Sequence, residues 1–245
     1  MTSPATGDPE LARVAAAFAD PKRVRVLMAL ADGRSLPAGR LAEEAGVAAS
    51  TVSNHLSILL DQQLVVVRRQ GRHRYYRLAS DDVEGVLEAL ARLAPQAPIS
   101  SLREHTRAQA LRTARTCYQH LAGRLGVDLL QQLIVRDWVA RGNGLHDPDD
   151  AVDRFSAPGQ GTQYHLTDLG TKHLAAWGIP RSALSAAPLR YCVDWTEQAH
   201  HLAGPLGKAI TTRFFDLGWI TRGRVPRSIH LTPEGEAGLA NCTQR

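Results

Sequence analysis

The feature that most constrains the fold is the pattern of residues 41–78, in which two helical segments are followed by two strand segments. The first apolar set has helical spacing and precedes Gly46, a residue that readily adopts a turn conformation. The second set recurs at steps of three or four and forms a buried stripe, with Ser50 or Thr51 able to cap its helix. The first set consists of Leu41, Ala42 and Ala45, and the second set consists of Val52, Leu56, Leu59 and Leu60. This order predicts a helix-turn-helix.

The second helix carries short polar side chains on and near its other face. Hydroxyl, amide and imidazole groups offer hydrogen-bond donors and acceptors without the bulk that would keep a helix out of the DNA major groove. The candidate DNA-binding residues of this helix are Ser50, Thr51, Ser53, Asn54, His55 and Ser57. For His55, a bracing role within the fold is an open alternative.

An arginine-rich hairpin follows the second helix. Residues 64–67 and 75–78 have strand character, and residues 70–71 are expected to form the turn. The arginines between the two predicted strands are Arg68, Arg69, Arg72 and Arg74. Because the segment contains no acidic residue, it is suited to phosphates or the minor groove. Helix and hairpin together predict a winged helix-turn-helix that binds double-stranded DNA.

Residues 17–94 resemble the ArsR/SmtB family of bacterial winged-helix repressors through FADPKRVRVLMALADG, LAEEAGVAASTVSNHLSILLDQQLV and RRQGRHRYYRL. The resemblance implies a homodimer on a near-palindromic operator, released by a metal or another signal. It points to Ser50, Thr51, Ser53, Asn54, Arg72 and Arg74 for DNA binding. Residues 37–40 read PAGR where thiolate-sensing members carry Cys-x-Cys, so that metal site is not expected, and no cofactor is expected to be required for DNA binding.

Composition agrees with a regulator that works in the cytoplasm. The chain has 245 residues, a formal net charge of +5 and a pI near 9.4, which favours polyanionic partners. It has no apolar run of the roughly 20 residues that a membrane span needs. Three cysteines form a sparse, odd-numbered set, so reduced thiols are expected rather than a disulfide framework.

The second half contains an internal repeat. HLAGRLG at residues 120–126 returns as HLAGPLG at residues 201–207, and HLT at residues 165–167 returns at residues 230–232. The first copy has a longer connection, which falls in residues 142–161. Agreement of this kind indicates duplicated structural units.

The two copies also echo the N-terminal module. LAGRLGV at residues 121–127 parallels LAEEAGV at residues 41–47, but the spacing to the following wing is shorter in both copies. The predicted fold is therefore mainly α with small β-wings (α+β), with two degenerate winged-helix-like repeats that have lost the polar reading surface and carry the largely apolar segments VDLLQQLIV and KAITTRFFDL in its place. Residues 102–121 are expected to form one long helix.

The predicted domains are residues 1–95 for DNA binding, residues 96–180 for the first repeat and residues 181–245 for the second. The two repeats are expected to form one sensing and dimerisation domain, which would receive an effector ligand.

Cysteine and histidine near the start of each copy suggest a sensing site. If the copies pack about an approximate twofold axis, Cys117, His120, Cys192 and His201 approach one another, with His200 and Asp194 nearby. Two thiolates with imidazoles suit zinc, copper(I), a trivalent metalloid or a redox pair. Two alternatives stay open: each cysteine is a small buried residue in the first turn of a helix, or aromatic side chains line a pocket for an organic effector. The aromatic set is Trp138, Trp195, Trp219, Tyr118, Tyr191, Phe214 and Phe215.

The function that these patterns predict is that of a sequence-specific transcriptional regulator and not of an enzyme. No phosphate-binding loop or nucleophile elbow is visible in the sequence. The alternatives are a non-catalytic adaptor built from winged helices and, less favoured, a cysteine-dependent enzyme.

Overall fold

The computed structural model describes residues 10–95, 101–149 and 162–241, and the chain divides into two compact units, Met1–Val83 and Glu84–Arg245. Helices with small antiparallel sheets make up the chain, which confirms the predicted fold class. None of the helices in the described ranges has the length and apolarity needed to cross a membrane.

The first unit contains the predicted helix-turn-helix and wing. Its elements are α1 (Leu11–Phe18), α2 (Pro21–Leu30), β1 (Leu36–Pro37), α3 (Ala38–Ala45), α4 (Ala49–Asp61), β2 (Val65–Gln70) and β3 (His73–Leu78). Asp20 caps α2 by accepting hydrogen bonds from the backbone N–H groups of Lys22 and Arg23. Gly46 ends α3 with a φ of 62°, which is the left-handed turn expected of a glycine at this position.

The wing is a three-stranded antiparallel sheet in the order β1-β3-β2. β2 and β3 are longer than predicted, because their pairing continues to Gln70 opposite His73. The turn is therefore the two residues Gly71 and Arg72. Helix α5 (Asp81–Leu93) follows the wing and crosses the boundary between the two units.

The second unit contains the duplicated segment. Its elements are α6 (Leu102–Thr113), β4 (Arg115–Cys117), β5 (His120–Ala122), α7 (Arg124–Val135), β6 (Val139–Ala140), β7 (His165–Leu166), α8 (Asp168–Ala176), α9 (Arg181–Leu184), β8 (Tyr191–Val193), β9 (His200–Leu202), α10 (Gly204–Asp216), β10 (Ile220–Arg222), β11 (Ile229–Leu231) and α11 (Pro233–Asn241). Each copy is a hairpin, a helix, a second hairpin and a second helix, which agrees with the predicted duplication. Residues 150–161 of the long connection lie outside the described residues.

The predicted long helix over residues 102–121 is wrong. α6 ends at Thr113, and the next residues pair as β4 with β5. The sequence similarity between LAGRLGV and LAEEAGV does not correspond to a similarity in structure. Leu41 lies in helix α3, whereas its counterpart Leu121 lies in strand β5, so the two similar sequences belong to different elements.

The helix that precedes the second hairpin is present in both copies as α7 and α10, and it contains the largely apolar segments that replace the polar reading surface. α4, α7 and α10 end with the same junction: a residue with positive φ, followed by a residue whose N–H bonds to a carbonyl in the last turn of the helix. The positive-φ residues are Gln63, Asp137 and Gly218, and the bonds join Leu64 to Leu59, Trp138 to Leu133, and Trp219 to Phe214. The copies differ from the first unit in what comes before this helix, which is a hairpin instead of α3.

Helices and hairpins of the two copies pack crosswise. α7 lies against β9 of the second copy, and α10 lies against β5 of the first. Gly126 and Gly207 allow these close approaches, since a Cβ on Gly126 would lie 3.5 Å from the Cβ of His201 and one on Gly207 would lie 3.0 Å from the Cβ of His120. The two copies therefore meet through equivalent residues about an approximate twofold axis.

The substitution Gly207→Ala tests this packing. The added methyl group would lie 3.0 Å from the Cβ of His120 in the other copy and 2.6 Å from the carbonyl oxygen of Leu202 in its own copy, so these neighbours would have to move. We expect the free energy of unfolding to fall by about 1–3 kcal/mol. The matched control is Gly39→Ala in α3, where the methyl group meets nothing within 4 Å and is expected to be neutral or stabilising by up to about 1 kcal/mol. Urea denaturation of both variants provides the measurement, and equal losses would contradict the close packing of Leu202 and His120 around Gly207.

Candidate nucleic-acid interface and metal centre

Helix α4 presents a polar face to solvent. It begins after Ala48, which makes no side-chain capping bond, so the predicted cap at Ser50 or Thr51 is wrong. Ser50, Ser53, Asn54 and Ser57 are exposed, and Thr51 is half-buried. The Ser53 hydroxyl donates to the carbonyl oxygen of Ala49 at 3.3 Å, which leaves its oxygen lone pairs available to a ligand. The exposed set offers one amide and several hydroxyl groups to a groove.

His55 is not part of this face. It shares the buried stripe of α4 with Val52, Leu56 and Leu59 and is only 6% exposed, because steps of three and four residues place it on the core side. Neither of its ring nitrogens has a hydrogen-bond partner among the described residues. The structure thus corrects the prediction that His55 contacts DNA and favours the alternative in which it braces the fold.

The arginines of the wing are all exposed, but only Arg72 lies in the turn. Arg68, Arg69 and Arg74 lie within the paired strands, since the ladder extends further than predicted. Arg69 stands directly opposite Arg74 on one face of the hairpin. Like charges in this position repel each other, and a neighbouring polyanion would relieve the repulsion.

The four predicted ligands of the second unit lie together. One ligand atom from each of Cys117, His120, Cys192 and His201 lies within 4.8 Å of the others. The register of the hairpins explains this arrangement, because Cys117 pairs directly with His120 across β4–β5, and Cys192 pairs with His201 across β8–β9. Each copy therefore contributes one cross-strand cysteine–histidine pair. The cysteines lie in strands and not in the first turn of a helix, which overturns the alternative placement.

The cluster is buried. Cys117, His120 and His201 are each at most 7% exposed, and Cys192 is half-buried. The two imidazole rings lie side by side with centroids 5.2 Å apart. Burial, followed by the neighbouring His201 and the cations of Arg227 and Arg115, holds the pKa of His120 well below its usual value. His120 is therefore a neutral imidazole with a lone pair to donate.

Asp194 lies beside the cluster and is held in place by hydrogen bonds. Its Oδ2 accepts hydrogen bonds from Arg115 Nη2 at 2.8 Å and from the Gly123 N–H at 2.6 Å, and it lies 3.5 Å from His201 Nδ1. Burial raises the pKa of the Asp194 carboxyl, but Arg115, His201 and hydrogen bonds from Thr196 and Gly123 outweigh it and hold the pKa well below the usual range. Asp194 is a fixed negative charge beside the cluster.

His200 is directed elsewhere, since its Nδ1 lies 2.7 Å from the hydroxyl oxygen of Tyr164. The aromatic residues proposed to line a pocket belong mainly to the core: Trp138, Tyr191 and Phe214 are buried, and Trp219 packs on Phe214 at 5.1 Å between ring centroids. Trp195 instead lies beside Arg115, whose guanidinium carbon is 4.8 Å from the ring centroid. Sequence reasoning identified the four clustered residues but could not identify Arg115, because its role depends on a partner distant in the chain.

Comparison with known proteins gives matches to the first unit and to the whole chain. The family model described as "Bacterial regulatory protein, arsR family" matches residues 20–66. The uncharacterized HTH-type transcriptional regulator YdfF of Bacillus subtilis (strain 168) is 36% identical over 232 residues, which cover 94% of this chain and 95% of that protein. The HTH-type transcriptional regulator CmtR of Mycobacterium tuberculosis (strain ATCC 25618 / H37Rv) is 45% identical over 83 residues, covering 34% of this chain and 70% of that protein.

Solved structures of other proteins match about a third of the chain, among them these two. HlyU from Vibrio cholerae N16961 has 30% sequence identity and a TM-score of 0.32, and the match covers 35% of this chain and 91% of that one. The homodimeric winged helix-turn-helix DNA-binding domain of Mb0332 from Mycobacterium bovis has 30% identity and a TM-score of 0.30, covering 36% of this chain and 88% of that one.

Proposed function

The chain belongs to the ArsR family of helix-turn-helix transcriptional regulators, and we propose that it is a homodimeric repressor whose α4 and wing bind operator DNA. The observation that carries the proposal is the exposed polar face of α4 in the same compact unit as a hairpin of exposed arginines. In this arrangement α4 enters the major groove, and the wing arginines neutralise phosphates beside it.

Dimerisation is supported by apolar side chains that the described chain leaves in solvent. On α5, Val86, Leu90 and Leu93 have helical spacing and are 41%, 41% and 79% exposed. On α1, Leu11 is 75% exposed. A second copy covering such surfaces would remove apolar area from water at about 25 cal/mol per Å². Two copies would place two α4 helices on successive major grooves, roughly 34–36 Å apart.

The second unit is the proposed receiver of the signal. It has its own hydrophobic core and holds the buried cysteine–histidine cluster. A signal that favours a conformation of the dimer with lower DNA affinity would release the operator, and DNA would weaken binding of that signal by the same factor. This coupling makes repression reversible.

Salt dependence of DNA binding tests the proposed wing contacts. Arg72→Ala and Arg74→Ala are each expected to weaken binding to all duplexes by similar factors, because phosphate contacts carry no sequence information. If each arginine contacts one phosphate per subunit, the slope of log K against log salt should become less steep by about 1.8 for the dimer. The measurement is fluorescence anisotropy of a labelled duplex over a salt series.

The matched control for these variants is Arg181→Ala, which removes an exposed arginine from α9 in the second unit. We expect its salt slope to equal that of the unmodified protein. A chain that retains no duplex at low salt would instead support a non-catalytic adaptor built from winged helices.

A further inference from the structure

We propose that Cys117, His120, Cys192 and His201 bind one zinc ion and that this ion joins the two copies of the duplicated segment. The site does not depend on the proposed DNA contacts, since all four ligands lie in the second unit. Residues 37–40, where the ArsR/SmtB resemblance would have placed a thiolate site, belong to the first unit and contribute no ligand.

The two hairpins bring the four ligands together in pairs. Each hairpin aligns a cysteine with a histidine in register, although the two pairs have different separations in sequence. The crosswise packing of α7 on β9 and of α10 on β5 then brings the two hairpins together. Half of the site comes from each copy, so the four donors meet only when the copies are packed.

The donor atoms of the cluster suit zinc. Two thiolates and two imidazoles are a common tetrahedral ligand set for zinc, with Zn–S near 2.3 Å and Zn–N near 2.0–2.1 Å, which places the donors about 3.4–3.8 Å apart. The observed spread of at most 4.8 Å exceeds this by about 1 Å, a distance that side-chain rotation covers. A trivalent metalloid is less well matched, because it prefers thiolates and only two are present.

The surroundings of the two histidines also favour a bound ion. His120 Nε2 is buried and has no hydrogen-bond partner in the part of the chain that the structure describes, which is costly unless an ion or water occupies the site. His201 Nδ1 faces the Asp194 carboxylate, which leaves Nε2 as the metal-binding nitrogen. A carboxylate behind a ligating histidine is the usual outer support of a zinc site.

Metal titration of the full-length chain tests the proposal. The reduced, chelator-treated protein is titrated with Zn²⁺ alone and, in parallel, with Co²⁺ as a spectroscopic probe. We expect one equivalent per chain and the absorption of tetrahedral cobalt with thiolate ligands. Since loss of an outer-shell partner already costs 10–100-fold in affinity, Cys117→Ser and Cys192→Ser should each weaken binding by at least about 100-fold.

The matched control is Cys242→Ser, which removes the third cysteine of the sequence, a residue outside the described ranges. It should leave both the stoichiometry and the cobalt spectrum unchanged. Asp194→Asn keeps all four ligands and is expected to weaken binding by about 10–100-fold while retaining the thiolate–cobalt absorption. Circular dichroism of each metal-free variant establishes that a loss of binding is not a loss of folding.

Three results would overturn the proposal: no uptake of Zn²⁺ by the unmodified reduced chain, unchanged zinc binding in Cys117→Ser and Cys192→Ser, or an equal loss in the Cys242 control. Formation of a Cys117–Cys192 disulfide by a chain that takes up no metal when reduced would assign the pair to redox chemistry instead. Duplex retention by the same metal-free variants is measured separately. A chain that binds zinc but no duplex would refute the proposed function alone.

Discussion

Replacing Asp194 with alanine is expected to lower the free energy of unfolding of the second unit by about 3–5 kcal/mol, because removal of one partner leaves a buried charge uncompensated. Arg115 is 1% exposed, and its Nη2 lies 2.8 Å from Asp194 Oδ2. For a unit of this size the expected fall in Tm is about 6–20 °C. Thermal and urea denaturation of metal-free protein, followed by tryptophan fluorescence, provide the measurement.

Two further variants show whether the buried charge is the cause. Asp216→Ala removes an exposed carboxylate at the end of α10 and is expected to change stability by less than about 0.5 kcal/mol. The double variant Arg115→Met/Asp194→Leu removes both charges, and it should recover most of the loss, since apolar replacement of a buried ion pair is often neutral. A double variant as unstable as Asp194→Ala would show that the hydrogen bonds of Asp194 to Gly123 and Thr196 matter more than its charge.

Replacing Asn54 with alanine is expected to lower operator affinity sharply and to relax sequence preference. A side chain that contacts a base edge contributes about 1–3 kcal/mol, and a homodimer loses the contact twice, which amounts to roughly 30-fold to 10⁴-fold. Asn54 is exposed on α4, and its substitution removes no core contact. The measurement is the ratio of affinities for an operator found by footprinting and for an unrelated duplex of equal length.

The control for Asn54→Ala is Gln132→Ala, which removes an exposed amide from α7, the corresponding wing-preceding helix of the first copy. We expect it to leave the affinity ratio unchanged. An Asn54 variant that loses affinity equally for both duplexes would assign this residue to the phosphate backbone and not to base recognition.

The first unit was predictable because its signals are local. Gly46 ends α3 with a positive φ, as its position before the second helical pattern indicated, and the stripe from Val52 to Leu59 is buried. His55 shows the limit of this reasoning. A polar side chain in a helix with an exposed polar face suggests a DNA contact, but the helical spacing places His55 with the buried apolar residues.

The sequence predicted that the second unit contains a repeat, but it predicted the helices and strands of that repeat less well. The repeat was visible because similar residues recur in order, yet LAGRLGV resembled a helix–turn segment and instead crosses from strand β5 into helix α7. The first turns of α7 are held by tertiary contacts such as the bond from the Gly123 N–H to Asp194. Short sequence similarity contains no information about such partners.

The sequence alone determined the helix-turn-helix, its polar face and the arginines of the wing, because helical and strand periodicity depend on near neighbours in the chain. Only the tertiary structure decided which cysteine meets which histidine. Strand register and the packing of one copy on the other bring together residues far apart in sequence, as between Cys117 and Cys192 and between Arg115 and Asp194. These long-range contacts depend on burial and packing across the whole unit. A local sequence pattern does not specify that packing.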